Sequence, residues 1–159
     1  MQTQPSLIAV DMDGTFLTDA KTFDTERFSA ILDRLDARGI RFVVASGNTY
    51  AKLQDYMRGF ENRGLIYIAE NGAYLADDSG QLAVHPFREE DVPDIYEVLD
   101  GLKQIGLLVC TTEGIFLPKD RREQIVHVIR NYFEDTGQSI PDTLTLEDFA
   151  GFFFPGAIL

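Results

Sequence analysis

The stretch LIAVDMDGT, residues 7–15, joins a short apolar run to a polar turn that carries two aspartates. Four apolar residues followed by a Gly-containing turn predict a buried strand that ends at Asp11. Asp11 and Asp13 are two residues apart, so in extended chain their side chains point to the same side. Open α/β sheets bind their ligands beyond the carboxyl ends of the strands. We therefore expect a functional site where this strand ends.

Two carboxylates held this close repel each other and attract a divalent cation. Mg²⁺ accepts one or two carboxylates together with phosphate oxygens of a substrate. A carboxylate beside such a metal can also act as a nucleophile toward phosphorus. Asp11 and Asp13 are therefore candidate Mg²⁺ ligands and candidate catalytic groups. A polar turn without chemistry is the alternative, because Asp and Gly are common turn residues.

Strand and helix signals alternate after this turn. Apolar residues recur at i, i+3, i+4 and i+7 in two places. The first set is Phe28, Ile31, Leu32 and Leu35, and the second set is Leu53, Tyr56, Met57 and Phe60. This spacing predicts two amphipathic helices, the first capped by Asp24 or Thr25. Apolar runs at 40–45 and 65–69 predict two further strands. The order β-α-β-α-β is typical of an α/β fold with a Rossmann-like, doubly wound parallel sheet.

The pattern changes after Gly72. Residues 73–76 and 81–84 flank a polar, Gly-containing turn and predict a hairpin. A helical stripe at 92–102, two short strands at 107–111 and 115–117 and a second stripe at 125–133 then predict an α+β module. We place the boundary near residues 84–88, with one domain at 1–86 and another at 87–159.

A second candidate site element follows the strand at 40–45. Ser46 and Gly47 lie between that strand and a helix, where hydroxyl and backbone donors and the helix N-terminus favour an anion. Any strand-to-helix loop can carry such a pair, so the signal is weak alone. Asn71, in the turn after the third predicted strand, either reaches the substrate or belongs to a plain Asn-Gly turn.

These motifs together resemble a known family. DMDGT (11–15) is similar to motif I, DxDGT, of the haloacid dehalogenase-like hydrolases, and FVVASG (42–47) to their motif II. DMDGTFL (11–17) and the NGA turn at 71–73 resemble the Cof-type branch, which contains Mg²⁺-dependent phosphatases, many acting on sugar phosphates. The resemblance implies a partial core at 1–86 and the first part of an inserted cap at 87–159.

The resemblance also implies roles for individual residues. Asp11 would attack the phosphoryl group and form an aspartyl-phosphate, and Asp13 would protonate the leaving oxygen and later activate water. Asp11 and Asp13 would also hold the metal, Asp13 through its backbone carbonyl. Phosphate-binding roles would fall to Thr15, Ser46, Gly47 and Asn71.

The chain departs from the family pattern in three respects. Many relatives have Arg after the motif II glycine, whereas this chain has Asn48. We therefore expect the substrate site to contain one cation fewer, and we expect no catalytic role for Asn48. No Gly is followed by Asp after residue 100, so motif IV is absent, and none of the lysines is placed to act as the motif III lysine. We expect the chain to be the N-terminal portion of such a phosphatase and to show little turnover by itself. The alternative is an inactive remnant that acts at most as a binding module.

The composition of the chain restricts the classes of molecule that it is expected to bind. The net charge of −12 argues against nucleic acid and anionic membranes, and it requires a local metal and backbone donors for an anionic phosphate ester. A single cysteine, Cys110, excludes an internal disulfide and fits a reducing compartment. With no signal-peptide or membrane-length pattern, the cytoplasm is the predicted location. The apolar end at 152–159 and the unfinished core indicate possible self-association.

Overall fold

The computed structural model describes residues 5–102, 105–116, 158 and 159. The chain divides into two compact units, Met1–His85 and Pro86–Leu159. Within the described residues, no helix combines the length and the apolar character needed to cross a bilayer.

The first unit is built on one five-stranded sheet. Its elements, in chain order, are β1 Leu7–Asp11, α1 Thr25–Asp36, β2 Arg41–Ala45, α2 Tyr50–Tyr56, β3 Ile66–Ala69, β4 Tyr74–Asp77 and β5 Gly80–Val84. The strands lie in the order β1-β2-β3-β4-β5. Neighbouring pairs are parallel from β1 to β3 and antiparallel from β3 to β5. The predicted α/β alternation is confirmed, and the predicted hairpin continues the same sheet, which is therefore mixed.

The change of direction follows from the turn after β3. A parallel pair needs a crossover of a dozen residues or more, whereas an antiparallel pair needs only a tight turn. Residues Glu70–Gly72 form a single 3₁₀ turn, and Asn71 and Gly72 both have positive φ angles, 56° and 98°. The chain therefore returns at once beside β3, and Ala69 pairs with Tyr74.

Both helices of this unit pack on the same face of the sheet. Phe42 and Val44 of β2 belong to one buried cluster with Leu32 of α1 and Leu53 of α2. Two successive right-handed crossovers in one direction place both helices on one side, which accounts for this arrangement. Helix α1 begins as predicted, because the Asp24 carboxylate accepts a hydrogen bond from the Arg27 backbone N–H at 2.9 Å. The prediction that β1 is a buried strand is wrong, because β1 lies at one edge of the sheet that the described residues form, where Leu7 is about half exposed.

The second unit contains α3 Val92–Asp100 and a hairpin of β6 Val109–Thr111 and β7 Gly114–Phe116. The hairpin confirms the two short predicted strands as far as Phe116. Thr111 also forms an antiparallel bridge with Ile158. The predicted helix at 125–133 and most of the apolar stretch at 152–159 lie outside the described residues.

Candidate active site

The predicted site residues lie at one edge of the sheet. Asp11, the last residue of β1, is in register with Ala45 of β2, and Ala45 is in register with Ile68 of β3. Because these three strands are parallel, the loops that follow them leave the sheet together. The loops that begin after Asp11, Ala45 and Ala69 therefore meet at the carboxyl edge, where ligands of α/β sheets bind.

The loop after β1 holds both aspartates at the surface. Met12 is fully buried and anchors the loop, and its carbonyl accepts a hydrogen bond from the Leu17 N–H at 2.9 Å. Gly14 has a φ of 73°, a backbone conformation that glycine adopts without steric cost. The Thr15 hydroxyl donates to Asp11 Oδ2 at 3.2 Å. Thr15 therefore orients the exposed carboxylate of Asp11 through its Oδ2 atom.

Asp13 is held from two sides. Lys21 Nζ lies 2.6 Å from Asp13 Oδ1, and Asn48 Nδ2 donates to Asp13 Oδ2 at 2.7 Å. The hydrogen bond from Lys21 is the main cause that holds the pKa of Asp13 below its usual value, and the bond from Asn48 acts in the same direction. Both hydrogen bonds favour the ionised form of this carboxylate, which is the form that can accept a proton.

The loop after β2 connects this acid to the second motif. Asn48 donates to the Ser46 hydroxyl oxygen twice, from its side-chain amide at 2.9 Å and from its backbone N–H at 3.1 Å. A hydroxyl oxygen that accepts two bonds has its own hydrogen left to donate in a third direction. Thr49 then caps α2 by accepting from the Lys52 backbone N–H at 3.3 Å.

The turn after β3 packs on the same loop. The backbone N–H of Asn71 donates to the Ser46 carbonyl at 3.3 Å, and that of Glu70 donates to the Asn48 carbonyl at 3.0 Å. A Cβ atom at Gly47 would lie only 2.8 Å from Asn71 Oδ1. The absence of a side chain at Gly47 therefore lets the Asn71 amide lie directly against the motif.

Comparison with known proteins agrees with this geometry. The family model of the haloacid dehalogenase-like hydrolases matches residues 8–151. The chain belongs to the haloacid dehalogenase-like hydrolases. One relative illustrates the likeness. The chain is 33% identical over 127 residues to the 5-amino-6-(5-phospho-D-ribitylamino)uracil phosphatase of Escherichia coli K12, covering 80% of this chain and 46% of that protein.

Solved structures give the same result. A protein from Streptococcus mutans UA159 is 31% identical with a TM-score of 0.70, covering 81% of this chain and 48% of that one. A protein from Eubacterium rectale is 27% identical with a TM-score of 0.75, covering 97% of this chain and 55% of that one. The chain thus spans about half the length of the relatives that it matches.

The structure of this haloacid dehalogenase-like chain brings together all the residues that the motifs indicated. The array contains Asp11, Asp13, Thr15, Ser46, Gly47 and Asn71. It also contains two residues to which the sequence analysis gave no role. Lys21, which lies eight residues after Asp13 in the chain, binds the Asp13 carboxylate, and Asn48 joins Asp13 to Ser46. A polar residue directly after the motif II glycine is the one sequence signal that could have indicated Asn48.

A second lysine lies buried beside the site. Lys52, in the first turn of α2, is only 3% exposed, and its ammonium lies 5.7 Å from the centre of the Tyr56 ring. Burial lowers the pKa of Lys52 to about 8, although the negative charge of Asp13 acts in the opposite direction. The site therefore has a positive charge at its base, which offsets part of the repulsion between the acids.

The acids of the site form a small donor set for a metal ion. Among the described residues, no group of three or more His, Cys, Asp or Glu side chains could hold a metal. Asp11 and Asp13 are two carboxylates, and Mg²⁺ is commonly bound by one or two carboxylates with water and substrate phosphate completing its shell. This donor set fits Mg²⁺ better than a metal that needs four protein ligands.

Replacing Gly47 by Ala is expected to displace the side chain of Asn71 without unfolding the chain. The new methyl group would meet Asn71 Oδ1 at 2.8 Å, and the end of a flexible side chain can move aside. We expect the NMR signals of the Asn71 side-chain amide to shift, with a stability change within about 1 kcal/mol. Gly101→Ala is the matched control, because its Cβ would meet the Val98 carbonyl at 3.4 Å, an ordinary contact. Unchanged Asn71 signals in the Gly47 variant would contradict this packing.

Proposed function

We propose that this chain carries the nucleophile-bearing part of a Mg²⁺-dependent phosphatase, which hydrolyses small phosphate monoesters through an aspartyl-phosphate on Asp11. The main support is the pair of hydrogen bonds from Asn48 that joins Asp13 to Ser46, at the edge of the sheet where Asp11 ends β1 and Thr15 holds the Asp11 carboxylate. In this proposal Asp11 is the nucleophile, Asp13 is the acid and Ser46 donates to the phosphate oxygens, and all three lie at one edge of the sheet. The site residues keep the roles that the motifs predict.

In the first step, Asp11 Oδ1 attacks phosphorus while Thr15 holds Oδ2. An Asp–O–P bond forms, the ester P–O bond breaks, and Asp13 gives a proton to the leaving oxygen. The Ser46 hydroxyl and the backbone N–H groups of its loop donate to the phosphoryl oxygens. In the second step, Asp13 takes a proton from water, which attacks phosphorus and releases phosphate and the Asp11 carboxylate.

The metal would be held by two protein oxygens. Both carboxylate oxygens of Asp13 accept hydrogen bonds, so its backbone carbonyl and the Asp11 carboxylate are the ligands we propose. Bound Mg²⁺ would stabilise the negative charge of the phosphoryl group. Lys21 and Lys52 supply the further positive charge that the described residues bring to Asp13.

For the substrate, we propose a small phosphate monoester of an alcohol, of the sugar phosphate kind. The relative from E. coli carries the phosphoribityl group in its name, and in such a compound phosphate is attached to an alcohol carbon. An alcohol leaves poorly as an anion, so its departure needs the proton that Asp13 can supply. The single cysteine also supports the cytoplasm as the compartment.

Beryllofluoride trapping tests this proposal without requiring turnover. Beryllofluoride mimics a phosphoryl group on a carboxylate, so fluorine NMR of the full chain with Mg²⁺ should show a bound adduct. We expect Asp11→Asn to abolish the adduct, because an amide oxygen is not the nucleophile that the mechanism requires. Omission of Mg²⁺ should have the same effect.

The matched control is Asp19→Asn, which alters an exposed carboxylate just beyond the motif and should leave the adduct intact. An adduct that survives in the Asp11 variant would place the nucleophile elsewhere. A chain that binds neither Mg²⁺ nor beryllofluoride would be the inactive remnant, and the proposal would fail.

A further inference from the structure

We propose that Asn48 is a positioning residue for this reaction, because its side-chain amide joins the Ser46 hydroxyl to the Asp13 carboxylate. The inference rests on the proposed phosphatase function. In this role Asn48 does not touch the reacting atoms. It sets the separation between the group that holds the phosphoryl oxygens and the group that protonates the leaving oxygen.

The two hydrogen bonds from the side chain of Asn48 are compatible with each other. Asn48 Nδ2 lies 2.7 Å from Asp13 Oδ2 and 2.9 Å from Ser46 Oγ. An amide nitrogen carries two hydrogens, so one can be donated to each partner. The bond to Asp13 is to a charged acceptor, which makes it stronger than a bond between neutral groups.

The backbone of Asn48 is also fixed. Its N–H donates to Ser46 Oγ at 3.1 Å, and its carbonyl accepts from the Glu70 N–H at 3.0 Å. The side chain therefore starts from a backbone tied to both neighbouring loops of the site. Fixed side chains of this kind are what preserve a productive catalytic geometry.

The consequence differs for the two groups that Asn48 holds. Ser46 Oγ accepts from Asn48 twice, which directs its own hydrogen toward a phosphoryl oxygen. Asp13 has Lys21 on its other oxygen, so loss of Asn48 would leave it held from one side only. Loss of Asn48 should thus weaken phosphate binding for every ester and should weaken acid catalysis only where the leaving group needs a proton.

The test compares two esters hydrolysed by the full chain with Mg²⁺. p-Nitrophenolate leaves without protonation, whereas an alkyl alcohol does not. In Asn48→Ala, we expect kcat/KM for an alkyl phosphate to fall at least about ten-fold more than kcat/KM for p-nitrophenyl phosphate. This loss is a part of the factor of about 10²–10⁴ that a positioned acid contributes in total. Asn48→Leu, which has nearly the same shape but no amide hydrogens and no charge, should show the same change in preference.

Gln54→Ala is the matched control, since it deletes an exposed amide of α2 that donates to Tyr50. It should leave the preference between the two esters unchanged. Equal losses for both esters in Asn48→Ala and Asn48→Leu would overturn the proposal and would leave Asn48 with a purely structural role.

Beryllofluoride titration decides the case if turnover is too slow to measure. The Asn48→Ala chain should need about ten-fold more beryllofluoride for half-occupancy than the original chain, because the Ser46 hydroxyl loses one of the two bonds that direct it. An unchanged titration would overturn the proposal. The absence of an adduct on the original chain would instead refute the phosphatase function, and the inference would fall with it.

Discussion

Replacing Lys52 by Met is expected to raise the free energy of unfolding by about 3 kcal/mol at neutral pH. Lys52 is 3% exposed, and its pKa of about 8 in the folded chain compares with 10.5 for an unperturbed lysine. A shift of one pKa unit corresponds to about 1.4 kcal/mol, so the buried ammonium costs the folded state about 3 kcal/mol. Met is similar in length and flexibility and fills the same space without a charge.

The pH dependence of this gain identifies its cause. Below pH 8, Lys52 is charged in both the folded and the unfolded chain, and the folded chain bears the full cost of burying the ammonium. Between pH 8 and 10.5 the unfolded chain binds more protons than the folded chain, so the stability of the original chain rises with pH. The stability difference between the two chains should therefore shrink over this interval and vanish above it.

Denaturant unfolding at several pH values between 7 and 11 measures this difference. Burial also raises the pKa values of Tyr50 and Tyr67, which adds a pH dependence of stability in the alkaline range. Because both tyrosines are present in both chains, their contribution cancels in the comparison. Lys21→Met is the control, since the exposed Lys21 side chain forms a surface ion pair with Asp13 and should change stability by about 1 kcal/mol or less. A Lys52→Met chain that is less stable at pH 7 would show that the buried ammonium is a net stabilising group.

Much of the first unit could be predicted because its signals are local. Helix α1 has both a period and a cap, with Leu32 and Leu35 on its buried face and Asp24 at its start. The strands are short apolar runs that end in polar turns, and each was found. The pairing of the hairpin was not predictable in the same way, because alternation along β4 does not say which strand it will join.

The site was predictable where motifs follow neighbouring parallel strands. Asp11, Asp13 and Ser46 are close in space because the carboxyl ends of β1 and β2 are adjacent. The contact of Lys21 with Asp13 depends instead on the backbone of one loop residue, since Lys21 has a φ of 57°, which few non-glycine residues adopt. No pattern of residue types along the chain specifies such a conformation.

Asn48 and Lys52 show a different limit. From the sequence, Asn48 was expected only to leave the site with one cation fewer. In the structure its neutral side-chain amide joins the Asp13 carboxylate to the Ser46 hydroxyl. Lys52 stands next to Leu53 on the edge of the apolar stripe of α2, where a lysine is ordinarily exposed. The contacts of Asn48 and the burial of Lys52 are properties of the tertiary structure, which no local sequence pattern specifies.

Phe28→Ala is expected to cost about 3–5 kcal/mol of stability, the range for deleting a buried phenylalanine side chain. Phe28 is 2% exposed, and the centre of its ring lies between 4.9 and 5.4 Å from four other rings, those of Phe16, Phe23, Phe42 and Phe60. Such edge-on contacts add to the free energy of burial. Since small domains are stable by only about 5–15 kcal/mol, this one change should remove a large share of the total.

Denaturant unfolding of the Phe28→Ala chain measures the loss, and Phe87→Ala serves as the control. Phe87 is 51% exposed, so its truncation should cost about 1 kcal/mol or less. Equal losses in the two variants would mean that the ring cluster does not carry the stability assigned to it. The cluster also reaches the site, because Phe16 ends the loop that bears Asp13. Loosening of the core at Phe28 should therefore raise the beryllofluoride concentration needed for half-occupancy, even at temperatures where the chain stays folded.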